Sequence, residues 1–276
     1  MYIWRKQATA EWLQSNAEAL QRLGPGLAII ERPGKSRALV QVYCRTQRET
    51  SALQRRLGGT CERLPADWQA RFARASLARP LRVGGRLIVV SDAGKTAGST
   101  ETIVIPAEAA FGTGEHATTA MCLRMLERAT RKSAPGWRML DAGTGSGILA
   151  IAARRFGARD IIAIDNDPTA SATARRNAGR NGARGIEFRT GDVLRAKLLG
   201  RFDLITANLF SDLLITTLPC WRRLLSENGC LILSGILRAQ EPALVAALGR
   251  NRFVAQEIRR RGKWVAILAA PRRKNS

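Results

Sequence analysis

The chain has 276 residues, 45% of them hydrophobic, which is more than one average domain and enough for a sizeable core. Its 45 basic and 22 acidic residues give a net charge of +23, which favours encounters with nucleic acid, ribosomes or anionic surfaces. One histidine and five scattered cysteines without a CxxC pair argue against a zinc site or a disulfide framework, and no apolar run suits a membrane span or a secretion signal, so we expect a cytoplasmic protein with no metal.

The first 60 residues predict a small domain. "YIWR" is typical of a strand, and "TAEWLQSNAEALQRLG" of a helix with Thr9 at its N-cap. "GLAIIE" and "RALVQVYC" predict a hairpin, and "QRETSALQRRLGG" a second helix that stops at its glycine pair. This order indicates a split β-α-β-β-α-β, ferredoxin-like α+β domain over residues 1–60, with an open sheet face for a protein or RNA partner.

Residues 61–99 are interpreted as a linker and lead-in, rich in Arg, Ala and Gly, with one strand predicted at Leu87 to Val90. The "GKT" in this segment is not a phosphate loop, because that motif needs a glycine where Val89 stands.

Residues 100–276 show a different pattern, in which apolar strands, turns and helices alternate. The strands predicted in this region are "WRMLDAG", "DIIAID", "IEFRTGD", "FDLITANL", "CLILSGI" and "WVAILAA". Such alternation predicts a doubly wound, Rossmann-like α/β domain, whose ligands bind at the carboxyl ends of the parallel strands.

A glycine-rich turn joins the first of these strands to its helix. The stretch from Asp141 to Gly147 has the form DxGxGxG, and Ile148 stands where a dinucleotide fingerprint needs its third glycine. We expect Gly143 and Gly145 to let the backbone pass close to a bound nucleoside. Asp165 ends the second strand, where a carboxylate binds both ribose hydroxyls.

Asp192 ends the third strand, where adenine would lie. Taken alone, the GxGxG spacing also fits a purely structural turn. Together with the two strand-end acids, it predicts a binding site for S-adenosylmethionine.

With these motifs in view, the chain resembles the PrmA family of class I methyltransferases, which act on ribosomal protein L-eleven (L11). The resemblance runs from the N-terminal element order through "DWQARF", "AFGTGEHATTAMCL", "LDAGTGSGILAIAA", "AIDNDPTASATARRNA", "ANLFSDLL" and "LILSGIL". It implies N-methylation of protein amines, lysine side chains or the N-terminal amine, on a basic ribosomal protein recognised by the small N-terminal domain. The family pattern assigns cofactor binding to Thr119, Gly143, Asp165 and Asn208, and it places Asn208 facing the amine to be methylated.

The resemblance also gives a role to the second glycine-rich stretch, "AFGTGEHATTA" at 110–120. Gly112 and Gly114 would fold over as a lid-like turn, while Thr118 and Thr119 offer hydroxyls and backbone NH groups to the methionine carboxylate. The alternative is a plain helix cap. His116 is expected to shape this loop, with general-base action as the alternative.

Two departures from the family pattern concern the substrate. In the turn, Glu115 stands where the family pattern has a small or polar residue, and Ala117 stands where it has a proline. In addition, long-range electrostatic repulsion would oppose the approach of a chain with a net charge of +23 to L11, which is itself basic. Three alternatives therefore stay open: an RNA methyltransferase that uses the basic surface, a lysine methyltransferase of another protein, and a non-catalytic binder. "ANLF" lacks the prolines of the "NPPY" motif of base methylators. We expect a monomer, with ribosomal RNA as a further contact.

Overall fold

The structure is a computed structural model that describes residues 1–21, 23, 27–30, 36–44, 46–65, 80–92, 100–106 and 116–272. The chain divides into two compact units, residues 1–72 and 73–276.

The described part of the smaller unit contains four strands and three helices. In chain order these are β1 (Tyr2–Ala8), α1 (Ala10–Ser15), α2 (Ala17–Gln21), β2 (Leu27–Ile30), β3 (Ala38–Cys44), α3 (Gln47–Leu57) and β4 (Thr60–Arg63). The strands pair antiparallel in the order β2-β3-β1-β4. The sheet thus includes β4, which ends three residues beyond the boundary predicted at residue 60.

Local sequence explains where the helices of this unit begin and end. The Thr9 hydroxyl accepts a hydrogen bond from the backbone N–H of Trp12, as predicted for the N-cap. The predicted single helix divides at Asn16, whose side-chain amide donates to the Trp12 carbonyl at 2.8 Å and competes with the helical ladder. Helix α3 ends at Gly58, which takes a φ of +67°.

A three-stranded sheet precedes the main sheet of the larger unit. It consists of β5 (Leu81–Val83), β6 (Leu87–Val90) and β7 (Thr102–Val104) in that spatial order. All four residues of β6 are buried, and the predicted strand at this position is confirmed. Val83, Leu87 and Val89 belong to the core of the larger unit, so this part of the segment 61–99 is packed structure.

In the part of the chain that the structure describes, the main sheet has seven strands and is surrounded by five α-helices. Its elements are α4 (Ala117–Thr130), β8 (Arg138–Ala142), α5 (Ile148–Arg155), β9 (Asp160–Asp165), α6 (Pro168–Arg180), β10 (Ile186–Thr190), β11 (Phe202–Asn208), α7 (Ser211–Leu224), β12 (Leu225–Leu237), a 3-10 turn (Arg238–Gln240), α8 (Glu241–Arg250), β13 (Phe253–Arg261) and β14 (Trp264–Pro271). The spatial order is β10-β9-β8-β11-β12-β14-β13.

The predicted central parallel sheet is confirmed. Strands β10, β9, β8, β11 and β12 pair in parallel, whereas β14 runs antiparallel to both β12 and β13. The predicted strand "WVAILAA" is β14, and β13, which pairs with it in a hairpin, is an addition to the predicted alternation.

Helices cover both faces of the sheet, which is why its strands are nearly continuous apolar runs. Met139 of β8 packs with residues of α4 and α5 in one cluster, and its neighbour Leu140 packs with residues of α7 and α8 in the other. The chain moves outward from β8 to β10 and then returns to β11 on the other side of β8. This reversal forms a topological switch point at the carboxyl edge of the strands.

Among the described residues, no helix combines the length and the apolar composition needed to cross a membrane.

Candidate functional site

The glycine turn follows β8 directly at the switch point. Gly143, Gly145 and Gly147 have φ angles of +74°, +54° and +82°, in the left-handed region that disfavours residues with a Cβ. A Cβ on Gly143 would lie 2.4 Å from Cδ2 of Leu209, and one on Gly147 would lie 3.0 Å from Cβ of Ala174. Backbone conformation therefore favours glycine at all three positions, and close packing against Ala174 adds to this at Gly147.

A buried carboxylate anchors the turn from below. Asp141 is 1% exposed, and its two carboxylate oxygens accept hydrogen bonds from the hydroxyls of Thr144 at 2.7 Å and Thr206 at 2.6 Å. Burial raises the pKa of Asp141 to about 6, although both hydroxyls act in the opposite direction. The sequence placed Asp141 at the start of the DxGxGxG motif but assigned no role to it; for Thr206 the only signal was a polar residue inside an apolar strand.

Asp165 at the end of β9 is tied to the same turn. Its Oδ2 accepts from the backbone N–H of Gly145 at 2.8 Å, and its Oδ1 accepts from the backbone N–H of Asp167 at 3.0 Å. Each carboxylate oxygen has two lone pairs, so both can accept a further hydrogen bond. The predicted neighbours Gly145 and Asp165 are thus in direct contact.

Asp192 follows β10 at the same edge. Gly191, the residue before it, donates its N–H to the main-chain oxygen of Asp165 at 2.8 Å. The exposed Asp192 carboxylate accepts from the backbone N–H of Leu194 at 2.9 Å and forms an ion pair with Arg195 at 3.7 Å. The two acids therefore lie on adjacent strand ends without touching each other's side chains.

Asn208 ends β11 and contacts the beginning of α4. Its Nδ2 donates to Oγ1 of Thr118 at 3.2 Å, a contact that joins residues 90 positions apart in sequence. Its Oδ1 is buried and has no hydrogen-bond partner among the described residues. The hydroxyl of Thr119, which is also buried, has no partner within the same part of the chain. Buried polar atoms are almost always hydrogen-bonded, so each of these two oxygens is a candidate contact for a polar ligand.

His116 stands at the N-cap of α4 and packs beside the same threonine. Its Nδ1 lies 2.7 Å from Oγ1 of Thr118, and its ring meets that of Trp264 edge-on at a centroid distance of 4.8 Å. Burial lowers the pKa of His116, and the Lys263 ammonium lowers it further. The neutral imidazole therefore predominates at pH 7. The lid-like turn predicted around Gly112 and Gly114 lies outside the described residues.

The carboxyl edge thus brings the predicted positions into two contacting groups, Gly145 with Asp165 and Thr118 with Asn208. The left-handed turn, the lone pairs left on Asp165 and the two unpartnered oxygens fit a nucleoside that carries a polar amino-acid tail. The described residues contain no group of three His, Cys, Asp or Glu side chains suited to a metal ion.

Phe210, two residues after Asn208, is the most exposed large apolar residue of the larger unit in the described chain, at 83%.

Comparison with known proteins identifies the family. The family described as ribosomal protein L11 methyltransferase (PrmA) matches residues 32–272. A ribosomal protein L11 methyltransferase of Symbiobacterium thermophilum is 41% identical over 204 residues, covering 73% of this chain and 64% of the relative. Another from Pelotomaculum thermopropionicum is 39% identical over 194 residues, covering 69% of this chain and 62% of the relative.

A solved structure gives the same result. The crystal structure of a ribosomal protein L11 methylase from Lactobacillus delbrueckii subsp. bulgaricus has a TM-score of 0.64 and 32% identity, and it covers 70% of this chain and 99% of its own. The matched regions span less than two thirds of the first two relatives. With a family match over most of its length and relatives near 40% identity, the chain belongs to the PrmA family.

Proposed function

We propose that this chain is an S-adenosylmethionine-dependent N-methyltransferase of protein amines that acts on ribosomal protein L11. The observation that carries the proposal is the buried, unpartnered Oδ1 of Asn208 at the switch point, beside the glycine turn. The names of its relatives supply the reaction and the acceptor protein.

Six residues are proposed to bind the cofactor: Thr119, Gly143, Gly145, Asp165, Asp192 and Asn208. Asp165 would accept the ribose hydroxyls with the lone pairs that its two backbone donors leave available. The Thr119 hydroxyl and the N-terminal N–H groups of α4 suit the methionine carboxylate. When bound, S-adenosylmethionine supplies an electrophilic methyl group on a sulfonium sulfur.

Asn208 is proposed as the catalytic residue because its carboxamide oxygen can accept an N–H of the target amine and orient the nitrogen lone pair. Positioning of this kind can contribute about 7 to 11 kcal/mol to a bimolecular step. A lysine with a pKa near 10.4 is mostly protonated, and removal of its proton at pH 7.5 costs about 4 kcal/mol. The site must therefore admit the ammonium ion and release one proton before transfer.

The smaller unit is proposed to be a ferredoxin-like domain that recognises the substrate. The antiparallel order β2-β3-β1-β4, with helices after β1 and β3, supports this assignment. We propose that residues 1–60, 61–99 and 100–276 have separate functions, as substrate domain, linker and methyltransferase domain. Structurally, β4 belongs to the first of these parts, and β5 and β6 belong to the last. We also propose a cytoplasmic monomer that contacts ribosomal RNA while it modifies its substrate.

RNA methylation is the second candidate, and the exposed ring of Phe210 is the observation in its favour. An aromatic residue near a strand-end asparagine can stack on an extruded base. The protein-amine reaction is preferred because "ANLF" lacks the prolines of the base methylators and because the relatives are named for a protein substrate.

One labelling experiment separates the two candidates. Ribosomes and isolated L11 that lack methylation are incubated with the enzyme and S-adenosylmethionine carrying a radioactive methyl group, and the protein is then separated from the RNA. We expect the label in L11, with Asn208→Ala as the inactive control. Label in ribosomal RNA, or in another protein with none in L11, contradicts the proposal.

A further inference from the structure

Two neighbouring threonines at the start of α4 differ in what their hydroxyls contact. Both side chains are buried, with 0% of Thr118 and 1% of Thr119 exposed. The Thr119 hydroxyl has no hydrogen-bond partner among the described residues. In contrast, Oγ1 of Thr118 lies 2.7 Å from Nδ1 of His116 and 3.2 Å from Nδ2 of Asn208. The two hydroxyls are therefore not equivalent, and that of Thr118 joins two other side chains of the site.

The direction of these two hydrogen bonds follows from their chemistry. A hydroxyl has one hydrogen to donate and two lone pairs that accept, and the carboxamide nitrogen of Asn208 is only a donor. If Nδ1 of His116 also carried a hydrogen, both neighbours would donate to Oγ1. The buried hydroxyl would then have no acceptor for its own hydrogen within the described chain. The arrangement that satisfies all three groups leaves Nδ1 unprotonated and puts the imidazole hydrogen on Nε2.

The surroundings of His116 favour this neutral form and hold the ring in place. Burial lowers the pKa of His116, and the Lys263 ammonium lowers it further. The ring also packs edge-on against the indole of Trp264. The imidazole is thus a fixed and neutral acceptor beside the Thr118 hydroxyl.

The hydrogen of Thr118 decides which end of the Asn208 carboxamide faces away from it. Once that hydrogen is donated to His116, the hydroxyl can only accept, so the carboxamide must present its Nδ2 group to Thr118. Its Oδ1 then points elsewhere, and this is the buried oxygen that no described residue contacts by a hydrogen bond. In the flipped carboxamide an NH2 group would take the place of Oδ1, and it could not accept a hydrogen from an amine.

We propose that Thr118 and His116 are positioning residues that hold the Asn208 carboxamide with Oδ1, rather than Nδ2, available to the target amine. The Thr118 hydroxyl donates to Nδ1 of His116 and accepts from Nδ2 of Asn208. The consequence for turnover rests on the proposed function, in which Oδ1 accepts an N–H of the amine. An acceptor whose orientation is fixed in advance needs no rearrangement when the amine arrives, which is how positioning lowers a barrier.

The test removes the Thr118 hydroxyl and compares variants of the full chain. Thr118→Val replaces the hydroxyl with a methyl group in a side chain of the same shape, and Thr118→Ser keeps the hydroxyl. Thr130→Val is the matched control, because Thr130 is buried on the same helix and its hydroxyl donates to the carbonyl oxygen of Leu126 at 2.8 Å. If Thr118→Val fails to fold by circular dichroism, Thr118→Ala is compared with Thr118→Ser, since these two differ only by the hydroxyl.

The first readout is the nuclear magnetic resonance spectrum of the imidazole nitrogens, which needs no ligand. His116 is the single histidine of the chain, so isotope-labelled histidine gives one pair of ring signals. In the wild type at about pH 8, where the ring is neutral, we expect an unprotonated Nδ1 and a protonated Nε2. Thr118→Val should shift the Nδ1 signal, because this nitrogen loses its donor. Thr118→Ser and Thr130→Val should leave it near the wild-type position.

The second readout is the side-chain amide signal of Asn208, which is assigned by its absence from the spectrum of Asn208→Ala. We expect Thr118→Val to shift this signal and Thr118→Ser to keep it near the wild-type position, because only the serine retains the acceptor for Nδ2.

The third readout separates turnover from ligand affinity. In Thr118→Val, kcat for methylation of L11 should fall about tenfold or more, while the affinity for S-adenosylhomocysteine changes by less than about threefold. Thr118→Ser should recover most of the lost turnover, and Thr130→Val should keep the wild-type kcat.

Three results overturn the proposal. A protonated Nδ1 in the neutral ring of the wild type would leave the Thr118 hydrogen available to Asn208. An Asn208 amide signal that is the same in Thr118→Val and wild type would show that the hydroxyl does not hold the carboxamide. Equal losses of kcat in Thr118→Val and Thr118→Ser would assign Thr118 to packing. Failure of the wild type to methylate L11 contradicts the proposed function instead, and the ring and amide signals then still decide how Asn208 is held.

Discussion

Replacing Asp141 with asparagine exchanges the ionisable carboxyl group that anchors the glycine turn for a carboxamide, which does not titrate. The pKa of Asp141 is raised to about 6 in the folded protein from an ordinary value of 3.8. A raised pKa means that folding favours the neutral carboxyl group. The contribution of this group to the free energy of unfolding is therefore complete below the unfolded pKa and is lost as pH rises through the folded pKa. The difference of about 2 pK units corresponds to a total loss of stability of about 3 kcal/mol.

The assay is denaturant unfolding of wild type and Asp141→Asn at a series of pH values. Proton linkage with these two pKa values places about 2 kcal/mol of the change between pH 4.5 and 7.5. The stability of Asp141→Asn relative to wild type should therefore increase by about that amount over this range. The introduced carboxamide keeps an acceptor for one hydroxyl and can donate to the other, so the turn should persist. Asp160→Asn, at an exposed position, is the matched control, with an expected change below about 0.5 kcal/mol.

A second variant identifies the cause of the shift. Thr206→Val removes a hydroxyl that stabilises the charged carboxylate, so the pH-dependent loss of stability should become larger.

A difference in the free energy of unfolding between wild type and Asp141→Asn that stays constant within about 0.5 kcal/mol from pH 4.5 to 7.5 would refute the reasoning. The two threonine hydroxyls would then offset the whole cost of burial.

The remaining predictions concern ligand binding and turnover. Asp165→Ala should weaken binding of S-adenosylhomocysteine by about 1.5 to 3 kcal/mol in calorimetry, and equal affinity would remove Asp165 from the site. Thr119→Val replaces a buried hydroxyl that has no partner among the described residues, so thermal stability should not fall while ligand affinity does; a loss of stability alone would indicate a structural role. Asn208→Ala should lower kcat far more than cofactor affinity, and Asn208→Asp should move the pH optimum upward by holding the ammonium form; wild-type turnover in both would leave Asn208 a turn residue.

The order of strands and helices in the larger unit could be predicted because parallel strands covered on both faces are continuous apolar runs. Strand β13 was not predicted because it is an edge strand in which only the first three residues form an apolar run, and it ends in three consecutive arginines, Arg259, Arg260 and Arg261. Its pairing with β14 supplies the antiparallel edge of the sheet. Edge strands make only one ladder and tolerate charge, so their sequences carry a weaker signal.

The candidate site could also be predicted only in part from the sequence. Spacing alone identified the glycine turn and Asp165, because both lie at the end of a predicted strand. The contacts Thr118 to Asn208 and Asp141 to Thr206 join residues 90 and 65 positions apart. No local pattern encodes such pairs. The first becomes visible only when the start of α4 packs against the end of β11, and the second only when β8 and β11 pair side by side.

The charge distribution bears on the proposed reaction, in which a chain of net charge +23 would act on a basic protein. Four aspartates, Asp165, Asp167, Asp192 and Asp212, lie at or just beyond the carboxyl ends of β9, β10 and β11, near the candidate site. Exposed arginines, among them Arg159 and Arg184, lie at the opposite ends of β9 and β10. Because β9 has six residues, it separates the two edges by about 20 Å, more than twice the screening length of about 8 Å at physiological salt. The field that a lysine of the proposed substrate would meet at the site is therefore set by the charges of the carboxyl edge itself. There the aspartates stand beside Arg195, which forms an ion pair with Asp192, and Lys263, whose ammonium lowers the pKa of His116. Docking of a basic protein would then depend on these local charges rather than on the net charge of the chain.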